Sequence, residues 1–82
     1  MLRLLMENKK KERIKNVMSA VFEIPEEQIK NDSSPDTIGS WDSLRHMNLI
    51  VALEDEFKVE LTDDEILEMM NYKSIESIII GE

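Results

Sequence analysis

Ile14, Val17, Met18, Val21 and Phe22 recur at the i, i+3, i+4, i+7, i+8 spacing that places apolar side chains on one face of a helix. The spacing predicts a first helix over Leu2 to Phe22. Leu2, Leu5 and Met6 extend the pattern backward, while Lys9-Lys10-Lys11 interrupts it as a solvated face, so residues 1–11 are expected as a frayed or exposed helical extension. Ile24-Pro25 should stop the helix, because proline drives the residue before it out of the helical region. From Pro25 to Trp41 the apolar pattern lapses into Asn, Asp, Ser, Pro and Gly, and a connection this long inside a small chain points to function. Within it, one helical turn is expected at Glu26-Glu27-Gln28-Ile29, with Ile29 and Ile38 reaching the core.

The pattern resumes at Ser43 and runs to Phe57 through Leu44, Met47, Leu49, Ile50, Val51, Ala52 and Leu53. A helix apolar over so much of its circumference should be the central element of a bundle. Arg45, His46, Asn48, Asp55 and Glu56 are expected to face water, with Glu54 at the margin and Lys58 following the end. Thr62-Asp63-Asp64-Glu65 is a capping box, in which Thr62 and Glu65 each bond the other's backbone N–H, the cap alone contributing about 1 kcal/mol. It predicts a short third helix from Asp63 to Met70 that buries Ile66, Met69, Met70 and Leu67. Asn71 would supply a left-handed stop, and Ser74 would cap a last helix from Ile75 to Ile80, closed onto the bundle by Ile75, Ile78 and Ile79. Ile78-Ile79-Ile80 has strand propensity but no partner strand. The class is all-α, with residues 1–82 as a single domain.

Composition narrows the function. In 82 residues nearly every apolar side chain is needed for the core, which leaves little room for a buried catalytic cleft. With no cysteine, disulfides, thiolate metal sites and cysteine nucleophiles are excluded, and a reducing cytoplasm suits the chain. The single His46 excludes multi-histidine zinc sites. No apolar run has the length of a membrane span, and Met1 to Met6 is too short and wrongly flanked for a signal peptide, so a soluble, unexported chain is expected. The net charge of −8 is uneven: residues 1–15 hold six basic and two acidic side chains, leaving four basic and sixteen acidic ones for residues 16–82. An anionic body argues against nucleic acid and for proteins with basic docking patches, unless it serves solubility alone.

The chemistry gathers at Gly39-Ser40-Trp41-Asp42-Ser43-Leu44. Asp42 or Ser40 can cap the central helix, and Ser43 falls in its first turn, where unpaired N–H groups and the positive end of the dipole favour an anion on the serine oxygen. Counted from Asp32, the loop fails as a calcium loop: Thr37 stands where glycine is needed and Ser43 where a bidentate glutamate is needed. Trp41 suits a packed lid on the loop or a partner contact. His46, one turn after Ser43, is expected as a surface histidine. Met47 is placed either to pack beneath a group on Ser43 or to touch partners, and Met18, Met69 and Met70 are expected as core filler. A hydrolase based on Ser43 lacks both a placed base and a nucleophile-elbow sequence.

Trp41-Asp42-Ser43-Leu44, followed by Leu49, Ala52-Leu53-Glu54 and Phe57, resembles the attachment motif and helix of the acyl carrier proteins, and the order of elements over residues 12–80 is theirs as well. The resemblance implies an acyl-carrier-protein-like four-helix bundle with a long loop between helices 1 and 2 and a short third helix. It implies a covalent 4'-phosphopantetheine from coenzyme A on Ser43, installed by a phosphopantetheinyl transferase whose Mg²⁺ Asp42 helps to bind. An acyl or aminoacyl group then rides as a thioester between a loading enzyme and a downstream transferase or synthase, with no catalytic residue and no resident metal in this chain. Partner contacts are expected at Trp41, Leu44, Arg45, Met47, Asp55 and Glu56, and the chain is expected to be a cytoplasmic monomer. Three features depart from the family pattern: Ser40 stands where glycine is usual, with Gly39 one position earlier; Arg45 and Asn48 replace acidic residues; and Trp41 is unusually bulky. They favour a specialised biosynthetic pathway over ordinary fatty acid synthesis. The alternative from another class is an acidic helical adaptor without a cofactor.

Overall fold

The computed structural model describes residues 2–81; Met1 and Glu82, and with Met1 the start of the expected extension, lie outside the described residues. Four α-helices follow one another: α1 Leu2–Phe22, α2 Ser43–Phe57, α3 Asp63–Glu68 and α4 Tyr72–Ile80, with a short 3₁₀ turn at Glu26–Gln28. No strand occurs among the described residues. The core is built from Ile14, Met18 and Phe22 of α1, Leu49, Ile50 and Leu53 of α2, Met69 at the end of α3, and Tyr72 and Ile75 of α4, with Ile29, Ile38 and Trp41 supplied by the long connection. This is the expected four-helix bundle, with α2 packed along α1.

α1 is continuous from Leu2, and Leu5 and Met6 in its early turns face water. It ends at Phe22, where the sequence placed its stop. Glu23 adopts φ 57°, and the Ile24 N–H reaches back to the Ser19 carbonyl at 3.2 Å, closing the end of the helix before Pro25 can act. Ile29 and Ile38 are buried as expected.

The connection is held by its own polar groups. Ser33 Oγ accepts the Lys30 N–H at 2.7 Å, and the Ser33 carbonyl accepts the Tyr72 N–H at 2.9 Å, which pins the loop to the start of α4. Ser40 Oγ donates to the Phe22 carbonyl at 2.8 Å, satisfying an orphan acceptor at the end of α1.

The capping box of α3 forms as expected, but the residues after it act differently from the expectation. α3 ends at Glu68, with Met69 as its C-cap, two residues before the predicted Met70. Asn71 is no left-handed stop. Its φ of −159° is extended, and its side chain accepts the Ser74 N–H at 2.8 Å, making it the N-cap of α4. Ser74 therefore lies inside α4, which begins at Tyr72 instead of Ile75. An asparagine between two helices can end one or start the next, and the loop contact to the Tyr72 N–H settles the choice. Leu67 and Met70, expected inside, face water, because six residues make too little helix to turn both sides onto the body.

Candidate functional site

Asp42 is extended (φ −103°, ψ −177°), and its carboxylate accepts the Arg45 N–H at 2.8 Å while its carbonyl accepts the His46 N–H at 2.8 Å. Of the two candidate caps, Asp42 is therefore the one used. Ser43 follows as the first residue of fifteen-residue α2, with its side chain exposed. The turn before it does not depend on glycine: Gly39 has no positive φ, and nothing lies within 4 Å of where a side chain would begin.

Trp41 is a packed lid. Its ring is buried against Phe22, with centroids 4.9 Å apart, and its Nε1–H donates to His46 Nδ1 at 3.1 Å. His46 departs from the expected surface histidine, with only 8 % of its surface exposed. An indole is a donor only, so Nδ1 must be the acceptor and the imidazole proton sits on Nε2, which donates to the Ile66 carbonyl at 3.0 Å. With both nitrogens engaged, His46 is not a base available to Ser43.

Arg45, expected to face water, is half-buried and turned back on α1. Its Nη1 donates to the Val21 carbonyl at 3.0 Å and lies 3.0 Å from Glu23 Oε2. Asn48, Asp55 and Glu56 face water as expected, and with them runs an exposed apolar stripe, Leu44 (71 % exposed), Met47 and Val51, spaced three and four apart. The expectation of an almost wholly covered α2 is corrected here, since the bundle covers only the Leu49, Ile50 and Leu53 side. Asp55 and Glu56 stand at the far end of the helix. Glu56 is bound by Arg13 at 2.8 Å, and Asp55 is 3.5 Å from Lys58. Arg13 also lies 4.5 Å over the Phe57 ring.

A groove of about 550 Å³ opens beside Ser43, bounded by Trp41, His46 and Met47 on one side and by Ile66, Leu67 and Met70 on the other. Its lining is mostly apolar, and Asp42 and Ser43 form its polar lip. A second depression of about 400 Å³, lined by Lys73, Ser74, Glu76 and Ser77, contains none of the candidate residues. Sequence reasoning missed the α3 wall of the groove and the bonds that hold it. One signal was available: a donor-only indole five residues before the only histidine, across a helix start.

Among the described residues no group of three or more His, Cys, Asp or Glu side chains could hold a metal ion. No helix among them is long and apolar enough to cross a membrane.

An exposed serine at the positive end of a helix, with a mostly apolar groove alongside, fits a phosphodiester carrying a flexible chain. Residues 12–79 match the family described as phosphopantetheine attachment site. The chain is also similar to the acyl carrier proteins of three strains of Buchnera aphidicola subsp. Acyrthosiphon pisum (Tuc7, 5A and APS). It is 46 % identical to each over 55 residues, which cover 66 % of this chain and 68 % of theirs. The chain belongs to the phosphopantetheine-binding acyl carrier family. It is thus a carrier and not an enzyme, it bears covalent 4'-phosphopantetheine, and it works with a transferase and with acyl-handling enzymes.

Proposed function

We propose that Ser43 is the attachment residue and that residues 1–82 act as one carrier domain presenting an acyl or aminoacyl group in a specialised biosynthetic pathway of the cytoplasm. The observation that carries the reading is the exposed Ser43 hydroxyl at the first position of α2, on the lip of the apolar groove. When bound, the arm supplies the thiol that this cysteine-free chain lacks.

The chain's own residues divide the remaining work. Asp42 fixes the helix start by accepting the Arg45 N–H through Oδ1, and its exposed carboxylate can also face the Mg²⁺ of the transferase complex. The serine proton leaves to the transferase, because the imidazole of His46 is occupied at both nitrogens. Leu44 and Met47 form the centre of the partner face, Asp55 and Glu56 its far margin, and Arg45 the neutralised margin beside α1. Trp41 meets partners only through the groove that it lines. Holding the cargo on a tether raises its concentration near each partner, which is the whole contribution of a monomeric carrier.

The preference for a specialised pathway rests on Arg45 and Asn48, which leave the first half of α2 without the acidic pair that a basic docking patch would read. Incubation with coenzyme A and a broad-specificity phosphopantetheinyl transferase, followed by intact-mass measurement, tests the attachment. The wild type should gain one phosphopantetheinyl mass and Ser43→Ala none. No gain in the wild type, or an equal gain in the variant, would favour the cofactor-free adaptor.

A further inference from the structure

His46 joins three separate elements beside Ser43. Trp41, anchored on Phe22 at the end of α1, donates to Nδ1; the ring lies nearly parallel to the indole at 22°; and Nε2–H donates to the Ile66 carbonyl of α3. α3 needs such a tie. It has six residues, none of them fully buried, and its last carbonyls lack partners within so short a helix. Ile66 is half-buried and its carbonyl is otherwise approached only by the Met69 N–H at 3.3 Å. The α3 wall of the groove, Ile66, Leu67 and Met70, thus stands where the imidazole holds it.

We infer that His46 is a positioning residue for the cargo: by holding the Ile66 carbonyl it fixes α3 against α2, sets the width of the groove beside Ser43, and so determines how far a tethered acyl group is shielded from water. The inference rests on the assignment of Ser43 as the attachment residue. Its reach is specific, because the same two bonds also fix the imidazole in one tautomer, and one Trp and one His in the chain make both ends separately observable.

The test has two arms. In the unmodified protein, nitrogen-15 spectra should show His46 protonated on Nε2 and the single Trp41 indole N–H hydrogen-bonded. His46→Phe keeps the ring and removes both bonds. It should speed hydrogen exchange at the Leu67 to Met70 amides about tenfold, on the scale of one lost hydrogen bond, and leave the α1 and α2 core amides unchanged. His46→Gln, whose amide can accept from Trp41 and donate to Ile66, should restore most of the protection. If His46→Phe does not fold, His46→Leu, which likewise removes both bonds, serves in its place.

In the second arm the proteins are loaded with octanoyl-phosphopantetheine from octanoyl-coenzyme A and exposed to hydroxylamine, and loss of the thioester is followed by intact mass. Cleavage should be severalfold faster for His46→Phe and close to wild type for His46→Gln. Unchanged α3 exchange, acceleration spread evenly over the whole molecule, or equal cleavage rates would each overturn the inference. Failure of Ser43 to take up the octanoyl arm would instead overturn the attachment reading, and the exchange arm would still decide whether His46 holds α3.

Discussion

Arg45 Nη1 lies 3.0 Å from Glu23 Oε2, joining the third residue of α2 to the residue whose left-handed backbone ends α1. The same guanidinium donates to the Val21 carbonyl, one of the acceptors left unpaired by the helix end. The basic residue that departs from the family pattern is therefore a brace between the two longest helices as well as a change in surface charge.

Arg45→Glu places like charges together and frees the Val21 carbonyl. Stability should fall by about 1 kcal/mol, since the pair is partly exposed and screened. Urea denaturation monitored through Trp41 measures this. Loading by fatty-acid-type partners, compared under conditions where both proteins are folded, should stay equal or improve, and a strong loss would show that Arg45 itself is read by those partners.

Asp42 caps α2, and the proposed contact with the transferase metal would be a second, separable role. Asp42→Ala removes the cap and should cost about 1 kcal/mol, whereas Asp42→Asn retains a capping oxygen and should cost only a few tenths. If the carboxylate also meets the transferase metal, both variants should lose modification rate by a similar factor, roughly tenfold to a hundredfold. A normal rate with Asp42→Asn would reduce Asp42 to a cap.

Leu44 is exposed on the stripe that runs from Ser43 along α2. Leu44→Asp should change stability by less than about 0.5 kcal/mol, as expected for a surface position. It should nevertheless lower kcat/KM for loading by the cognate partner, while unchanged loading would place the docking face elsewhere.

Tyr72 gives a prediction for alkaline pH. Burial first, and then the hydrogen-bonding and negative charge of nearby Glu76, push its phenol well above the usual value of 10.0. Below about pH 10 both states hold the proton; above it the unfolded chain releases its proton first, so stability should fall as pH rises further. Tyr72→Phe should flatten that alkaline limb. At neutral pH it should shift stability by no more than about 1 kcal/mol, because the buried hydroxyl has no hydrogen bond of full geometry to lose. Chemical denaturation at neutral and alkaline pH compares the two proteins.

The helices themselves could be read from the chain because their signals are local. The apolar stripe from Ile14 to Phe22, the Asp42 cap and the Thr62 to Glu65 capping box each act within a turn or two of backbone. The place of Ser43 at a helix start was legible for the same reason, since it follows from its neighbours in sequence. Periodicity did not show which part of apolar α2 faces out. Leu44, Met47 and Val51 differ little in character from Leu49, Ile50 and Leu53, and only the position of α1 separates the two sets.

Sequence by itself determined the number and order of the helices, the loop anchors Ile29 and Ile38, and the polar start of α2 at Ser43. Tertiary structure decided the roles of Asn71, Arg45 and His46. Asn71 became a cap when Ser33 engaged the Tyr72 N–H, Arg45 turned inward to the open end of α1, and His46 was buried between a loop indole and an α3 carbonyl twenty residues away. The physical reason is common to the three. A polar side chain goes where an unpaired donor or acceptor is left over, and those leftovers lie at helix ends that come together only after the bundle has closed.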